Sequence, residues 1–172
     1  GPQNQIYGLN QLIKKSKGEI IFLLDSDDEF KKSKLLEICK LFKNNEKLDF
    51  IQDTPLNSLN DKKILLKERK NSYTIWPRFY PTSTIVFRKK FFEKFKSMNL
   101  INKFPNLEID ARMCIYAHLT NKFKILNKSY TKYNLNTLGI TSKYKKFSKN
   151  WWIKRCEAFD YMQYVSKKLN LN

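Results

Sequence analysis

The segment that most constrains the fold is GEIIFLLDSDDEF, residues 18–30, in which an apolar run leads directly into a cluster of acidic residues. The run covers residues 20–24, with Gly18 shortly before it and Asp25 directly after it. A continuous apolar run of this length is typical of a strand buried on both faces, as in a parallel sheet covered by helices. The segment therefore predicts an α/β fold with the acidic cluster at the carboxyl end of a central strand.

Helical and extended patterns alternate along the rest of the chain. Apolar spacing predicts helices over 5–16, 32–42, 87–98, 108–119 and 150–168, and strands over 48–51, 83–87 and 123–126. A long polar excursion, with a short helix around 62–67, is predicted over 54–81, and a loop over 131–143. We expect a single α/β domain, residues 1–172, in which 150–168 is a C-terminal amphipathic helix.

The composition is that of a folded chain with a strong positive charge. Its 172 residues are 41% hydrophobic and 15% aromatic, which is enough for a real core. No apolar run approaches the roughly 20 residues that a membrane span needs. The three dispersed cysteines suit a reduced setting, so we expect a cytoplasmic location.

The net charge of +18 leaves more than one interpretation open. Arginine is scarce and the lysines are spread along the whole chain, which argues against a nucleic-acid partner. The charge indicates either attraction to an anionic membrane surface or phosphorylated substrate, or simply a solvated, lysine-rich surface. In the last helix, Trp151 and Trp152 lie near Lys149 and Arg155, a mixture that suits peripheral contact with the inner face of the membrane as well as packing onto the domain.

The acidic cluster also has several interpretations. A D-x-D pair at the end of a strand can hold the divalent cation that bridges a diphosphate, because Mg²⁺ prefers carboxylate and phosphate oxygens. Asp28 or Ser26 would equally well cap the following helix. An EF-hand is excluded, because Phe30 and Leu36 occupy positions that require glycine and glutamate. A phosphatase of the haloacid dehalogenase type also has a D-x-D, but its motif continues with threonine or valine where this chain has Glu29.

A wider stretch, QIYGLNQLIKKSKGEIIFLLDSDDEFKKSKLLEICKLF, resembles the middle of glycosyltransferase family 2 domains. In that family a helix with an asparagine and an isoleucine precedes a glycine-led strand, an Asp-x-Asp-Asp segment and a helix that opens with Lys-Leu. The matching residues here are Asn10, Ile13, Ser16, Gly18, Ile21, Leu24, Asp25, Asp27, Asp28, Lys34 and Leu35. The resemblance covers about residues 5–142 and implies a partial GT-A fold, a Rossmann-like mixed sheet flanked by helices.

The resemblance implies an inverting, metal-dependent transfer of a sugar from a nucleotide-diphosphate sugar to an acceptor hydroxyl. The expected donor is a UDP-sugar, and the expected acceptor is a saccharide or a lipid-linked molecule. By likeness, Asp25 lies near the donor, Asp27 binds Mn²⁺ or Mg²⁺, and Asp28 either belongs to the donor site or caps the helix. Lys132 is a further candidate for the donor phosphates.

The resemblance also implies a general base at the start of a later helix. Asp110 is the first candidate and Glu108 the second, although both residue types are favoured at a helix N-terminus in any case. Trp76 and Tyr80 occupy the region of the acceptor side, where the alternative is packing in the core.

The chain matches the family only from partway into its domain, so the strands that usually hold the nucleotide base are expected to be missing. We therefore expect an exposed sheet edge, weak nucleotide binding by this chain alone and a tendency to form homo-oligomers. Two alternative functions remain, namely a non-catalytic module that binds membranes or polyanions and, more remotely, the phosphatase.

Overall fold

The computed structural model describes residues 2–66, 77–100, 102–135 and 145–171. The helices are α1 (Pro2–Lys15), α2 (Lys34–Asn44), α3 (Lys89–Lys96), α4 (Ile109–Leu119) and α5 (Lys149–Lys168), with a 3-10 turn at Thr82–Thr84. The strands are β1 (Ile20–Phe22), β2 (Glu29–Phe30), β3 (Phe50–Asp53), β4 (Leu56–Asn57), β5 (Ile85–Arg88), β6 (Phe123–Leu126) and β7 (Thr131–Tyr133).

The strands form two mixed sheets. The larger has the order β1-β5-β3-β6, in which β5 runs antiparallel to β1 and β3, and β3 runs parallel to β6. The smaller has the order β2-β7-β4. The strands β1, β3 and β6 therefore point the same way, and their carboxyl ends lie at one edge of the larger sheet, where α/β proteins bind ligands.

Alternation along the strands gives the larger sheet two apolar faces. Phe50 and Phe87 pack on one face with residues of α1, α3, α4 and α5. Ile51 and Val86 pack on the opposite face with residues of α2. The prediction of an α/β fold with helices on both sides of the sheet is confirmed. No helix in the described parts of the chain is long and apolar enough to cross a bilayer.

Three local predictions were wrong. The strand at 20–24 is shorter than expected and lies at an edge of the described sheet, paired antiparallel with β5, and Leu24 beyond it is 50% exposed. Residues 62–66 are not helical, because Lys63 forms a β-bridge with Leu56 instead. Residues 131–143 were expected to form a loop, but the segment begins with strand β7. This strand and its neighbours β2 and β4 are too short to show a period in the sequence.

A buried ion pair joins the two sheets at the carboxyl edge. The Lys34 ammonium lies 3.0 Å from an Asp53 carboxylate oxygen, and neither side chain is exposed to solvent. Lys34 also donates to the Ser83 carbonyl at 2.8 Å and to the Thr131 hydroxyl at 2.6 Å. Burial lowers the pKa of Lys34, and the nearby Asp53 carboxylate opposes that shift.

The Asp53 carboxylate is saturated with hydrogen bonds. One oxygen accepts the backbone N–H groups of Tyr130 and Thr131, both at 2.8 Å, and the other accepts the Thr131 hydroxyl at 2.9 Å. Fully hydrogen-bonded buried pairs of this kind define one arrangement of the surrounding segments. The end of β3, the start of α2, the start of β7 and the turn before β5 are thereby held together.

The buried pair predicts a large effect of removing one partner. Lys34→Met leaves the Asp53 carboxylate buried without a counter-charge, so we expect the free energy of unfolding to fall by about 3–5 kcal/mol. Lys40→Met is the matched control, because the Lys40 side chain is 61% exposed where it meets Glu37, and an exposed pair contributes about 0–1 kcal/mol. Urea denaturation followed by circular dichroism measures both. Equal losses in the two variants would contradict a special role for the buried pair.

Candidate active site

The acidic residues 25–28 form a tight turn at the carboxyl end of β1. The Asp28 N–H donates to the Asp25 carbonyl at 3.2 Å, and β2 follows directly. Helix α2 begins only at Lys34, and its N-cap residue is Ser33. The interpretation of Asp28 or Ser26 as a helix cap is therefore wrong, because neither residue lies at the start of the helix.

Two segments that are distant in sequence hold this turn. The Asp25 N–H donates to the Ser83 hydroxyl at 2.9 Å, and the Asn134 N–H donates to Asp28 Oδ1 at 2.8 Å. Ser83 itself is anchored through its carbonyl to Lys34. The acidic turn thus rests on the buried Lys34–Asp53 pair and not on a helix terminus.

The turn concentrates negative charge that the described protein groups only partly neutralise. The pKa of Asp25 is raised by burial first, and then by the neighbouring charges of Asp28 and Asp27. The pKa of Asp28 is also raised, chiefly by burial, although the Ser83 side chain and the hydrogen bond from the Asn134 N–H oppose the shift. Asp28 Oδ2 is buried and has no hydrogen-bond partner. Burying a carboxylate oxygen without a hydrogen-bond partner costs free energy of folding unless a ligand supplies the missing contact.

The residues of the turn fit a cation that is shared with an anionic ligand. Among the described residues, no three His, Cys, Asp or Glu side chains are grouped to hold a metal ion by themselves. Mg²⁺ and similar ions usually bind one or two protein carboxylates and take their remaining ligands from phosphate and water. The exposed Asp27 and the unpartnered oxygen of Asp28 suit this arrangement.

Asp110 lies in the first turn of α4 and is close enough to the acidic turn to be affected by it. Burial and the Glu108 charge raise its pKa to about 6, and Asp25 adds to the shift. Its Oδ1 accepts the Ala111 N–H at 2.7 Å, which opposes the shift. A partly buried carboxylate with a pKa near 6 is suited to act as a general base at neutral pH.

The structure separates the roles of the two base candidates. Glu108 occupies the N-cap position of α4 but makes no capping hydrogen bond, and its carboxylate is paired with the Lys154 ammonium. Because that pair neutralises Glu108, Asp110 is the better candidate for accepting a proton.

A buried arginine fixes the loop that leads into α4. The Arg112 guanidinium is fully buried and donates to the Leu107 carbonyl at 3.0 Å, to the Leu100 carbonyl at 2.9 Å and to the Phe104 carbonyl. This clamp determines where α4 begins, and therefore where Asp110 lies.

Tyr133 is a further candidate site residue, which no pattern in the sequence indicates. Its pKa is raised by burial and by the charges of all four carboxylates, namely Asp28, Asp25, Asp27 and Asp110 in order of effect. The phenol is therefore close enough to feel the charges of the acidic turn and of the base candidate, and a phenol can donate a hydrogen bond to a ligand. The strand that carries Tyr133 has only three residues, which is too short to give a periodic signal in the sequence.

The structure gives less support for a ligand-binding role of the other predicted residues. Lys132 is paired with Asp61 at 3.0 Å, and strand alternation puts it on the face opposite Tyr133. Tyr80 is only 5% exposed, and its backbone is hydrogen-bonded to the Gln52 side chain. Trp76 lies outside the described residues. The roles predicted for Lys132, Tyr80 and Trp76 stay predictions.

The sequence matches the model of a known family. Residues 2–109, more than half of the chain, match the family described as glycosyl transferase family 2. The chain belongs to that family. The match includes the acidic turn and ends one residue before Asp110, so it does not test the assignment of the base. No curated protein is similar enough to count as a relative.

Comparison with solved structures supports a GT-A glycosyltransferase fold. A crystal structure of S. aureus TarS is 17% identical with a TM-score of 0.54, over 95% of this chain and 30% of that chain. A crystal structure of S. aureus TarS 1-349 is 19% identical with a TM-score of 0.49, over 73% of this chain and 38% of that chain. The chain thus spans about a third of the length of these two solved structures.

The raised pKa of Asp110 predicts how stability varies with pH. The folded form holds the proton up to about pH 6, whereas the ordinary value is 3.8. Asp110 therefore stabilises the fold fully below about 3.8, and this contribution is lost as the pH rises to about 6. Relative to Asp110→Asn, the wild-type free energy of unfolding should fall across this range and stay level above it.

Urea unfolding at a series of pH values measures this difference. Asp160→Asn makes the same chemical change at an exposed position of α5 and serves as the control. A wild-type-minus-Asp110→Asn curve that is flat from pH 4 to 7 would contradict the raised pKa of Asp110.

Proposed function

We propose that this chain is the donor-binding and catalytic part of an inverting, metal-dependent glycosyltransferase. It transfers a sugar from a nucleoside-diphosphate sugar, with a UDP-sugar as the expected donor, to an acceptor hydroxyl. One observation carries the proposal: the acidic turn 25–28 has an unsatisfied carboxylate oxygen at the carboxyl edge of the sheet, with Asp110 close by. Family membership favours this reaction over the phosphatase.

The acidic turn supplies the donor side of the reaction. Asp27 and Asp28 would hold Mn²⁺ or Mg²⁺ together with the donor diphosphate, and Asp25 would contact the sugar or ribose of the donor. When bound, the cation supplies Lewis-acid stabilisation of the charge that grows on the departing diphosphate. The protein fixes the carboxylates beforehand, because Ser83 and Asn134 hold both ends of the turn.

Asp110 supplies the acceptor side. Its carboxylate accepts the proton of the acceptor hydroxyl as that oxygen bonds to the anomeric carbon, while the bond from that carbon to the diphosphate oxygen breaks. Attack from the face opposite the leaving group inverts the anomeric configuration. The nucleoside diphosphate leaves with the electron pair of the broken bond, and the proton remains on Asp110.

The assignment of Asp27 predicts a loss of donor binding. In the full-length protein, Asp27→Ala should weaken Mn²⁺-dependent UDP binding by at least about tenfold, because a ligand to the cation is removed. The fold should be unchanged, since Asp27 is exposed. Isothermal titration of UDP with and without Mn²⁺ measures the effect. Asp160→Ala is the matched control on a distant exposed carboxylate, and equal affinities for the two variants would reject the assignment.

The assignment of Asp110 predicts a defect in the chemical step. Asp110→Asn should lower kcat by about 10²–10⁴-fold with little change in the KM for the donor, as expected for loss of a general base. Wild-type kcat should rise with pH through about 6 and then level off, because only the carboxylate form accepts a proton.

Glu108→Gln tests whether the neighbouring carboxylate is the base instead. It should retain most of kcat and keep the acidic limb of the pH profile, whereas Asp110→Asn should lose that limb. A larger loss of kcat in Glu108→Gln than in Asp110→Asn would reverse the two roles.

A further inference from the structure

Helix α5 has a second apolar face that points away from the core. Its inner face consists of Ala158, Tyr161, Met162 and Val165, all buried. On the other side lie Trp152, Cys156 and Phe159, spaced four and three residues apart and therefore aligned on one face. Trp152 is 52% and Phe159 54% exposed, and Cys156 is also exposed.

Phe147 extends this face beyond the start of the helix. Its ring lies 6.4 Å from the Trp152 ring and 5.2 Å from the Trp151 ring. Since Ser148 is the N-cap residue, the contact of Phe147 with Trp152 is the hydrophobic staple that often fixes the entry into a helix. The staple does not bury Phe147, which is 63% exposed. We name Phe147, Trp152, Cys156 and Phe159 the outer stripe.

Basic side chains border the outer stripe. Lys145, Lys146, Lys149 and Arg155 are all exposed, and the Arg155 guanidinium lies 4.1 Å from the centre of the Trp151 ring. The acidic residues of this part of α5 lie to one side of the stripe. Glu157 accepts hydrogen bonds from Asn106, and Asp160 lines the same surface cavity as Glu157.

We propose that the outer stripe and its bordering cations are a docking surface for an anionic lipid membrane. An amphipathic helix with aromatic residues on one face and cations beside them lies in the plane of a bilayer, with its apolar side chains at the level of the headgroups. The charge is complementary, because the chain carries +18 and each cation near an anionic surface adds to the attraction.

Charge also argues against a second copy as the occupant. Two copies meeting through this surface would bring their cations together, and two chains of +18 repel each other. A single-stranded nucleic acid could stack its bases on Trp152 and Phe159 beside the cations. It is the weaker candidate, because arginine is scarce and the lysines are spread along the whole chain. An anionic membrane matches both parts of the surface, because its headgroups attract the cations and its acyl region accepts the apolar side chains.

Vesicle flotation of the full-length protein tests the proposal. Wild type should bind vesicles of phosphatidylcholine with phosphatidylglycerol, bind phosphatidylcholine alone at least about tenfold less, and be released as salt is raised. Trp152→Gln/Phe159→Gln should reduce binding by at least about tenfold through loss of apolar insertion. Lys146→Gln/Lys149→Gln should reduce it to a similar extent and lower the salt dependence.

Matched variants control for general changes in polarity and charge. Leu12→Gln/Leu59→Gln removes two apolar side chains that are 68% and 83% exposed elsewhere, and Lys94→Gln/Lys96→Gln removes two exposed cations of α3. Both should retain wild-type binding, and circular dichroism checks that every variant is folded. Tryptophan fluorescence should be quenched by brominated lipid, and Trp152→Phe should lose most of that quenching while still binding.

Three results would overturn the proposal. The first is no binding of wild type to anionic vesicles. The second is equal loss of binding in the stripe and control variants, which would indicate diffuse charge attraction. The third is a wild-type dimer in sedimentation that only the stripe variants abolish, with vesicle binding unchanged, which would make a second copy the occupant.

Discussion

The rest of the structure depends on the buried pair between Lys34 and Asp53. Two opposite charges removed from water are costly unless hydrogen bonds complete them, and here the backbone of β7, the Thr131 hydroxyl and the Ser83 carbonyl do so. Since these partners come from both sheets and from the segment before β5, the pair fixes how the pieces meet. The acidic turn is joined to this pair through Ser83, which contacts both Asp25 and Lys34, and its conformation is therefore fixed as well.

That arrangement explains how the acidic turn keeps one conformation although its carboxylates repel one another. Three carboxylates in four residues repel one another, and in isolation such a segment would spread apart. Ser83 and Asn134 prevent this by binding the backbone and side chain at its two ends. Near Asp110, the Arg112 guanidinium fixes the loop before α4 in the same way. Contacts from neighbouring segments thus fix the conformation of the site, and its carboxylates stay available to bind a ligand.

The sequence was sufficient for α1 to α5 and for the acidic turn, because the helical periods and a run such as 20–24 are local signals, although it also predicted a helix near 62–67 that does not form. It was insufficient for the strand partners: a fully apolar run suggested a central strand, whereas β1 lies at an edge of the described sheet and its residues are only half-buried. The two- and three-residue strands of the smaller sheet carry no period. Lys34, Asp53 and Tyr133 acquire their roles only through contacts between distant segments, which no local pattern contains.

The wide spacing of those contacts has a consequence for folding. Lys34 and Thr131 are 97 residues apart in the sequence, and Lys34 and Ser83 are 49 apart. Closing loops of this length costs entropy that is regained only after both sheets have formed. The site is therefore expected to stay incomplete until both sheets have formed, so that a chain arrested before that point lacks the surface on which a ligand would bind.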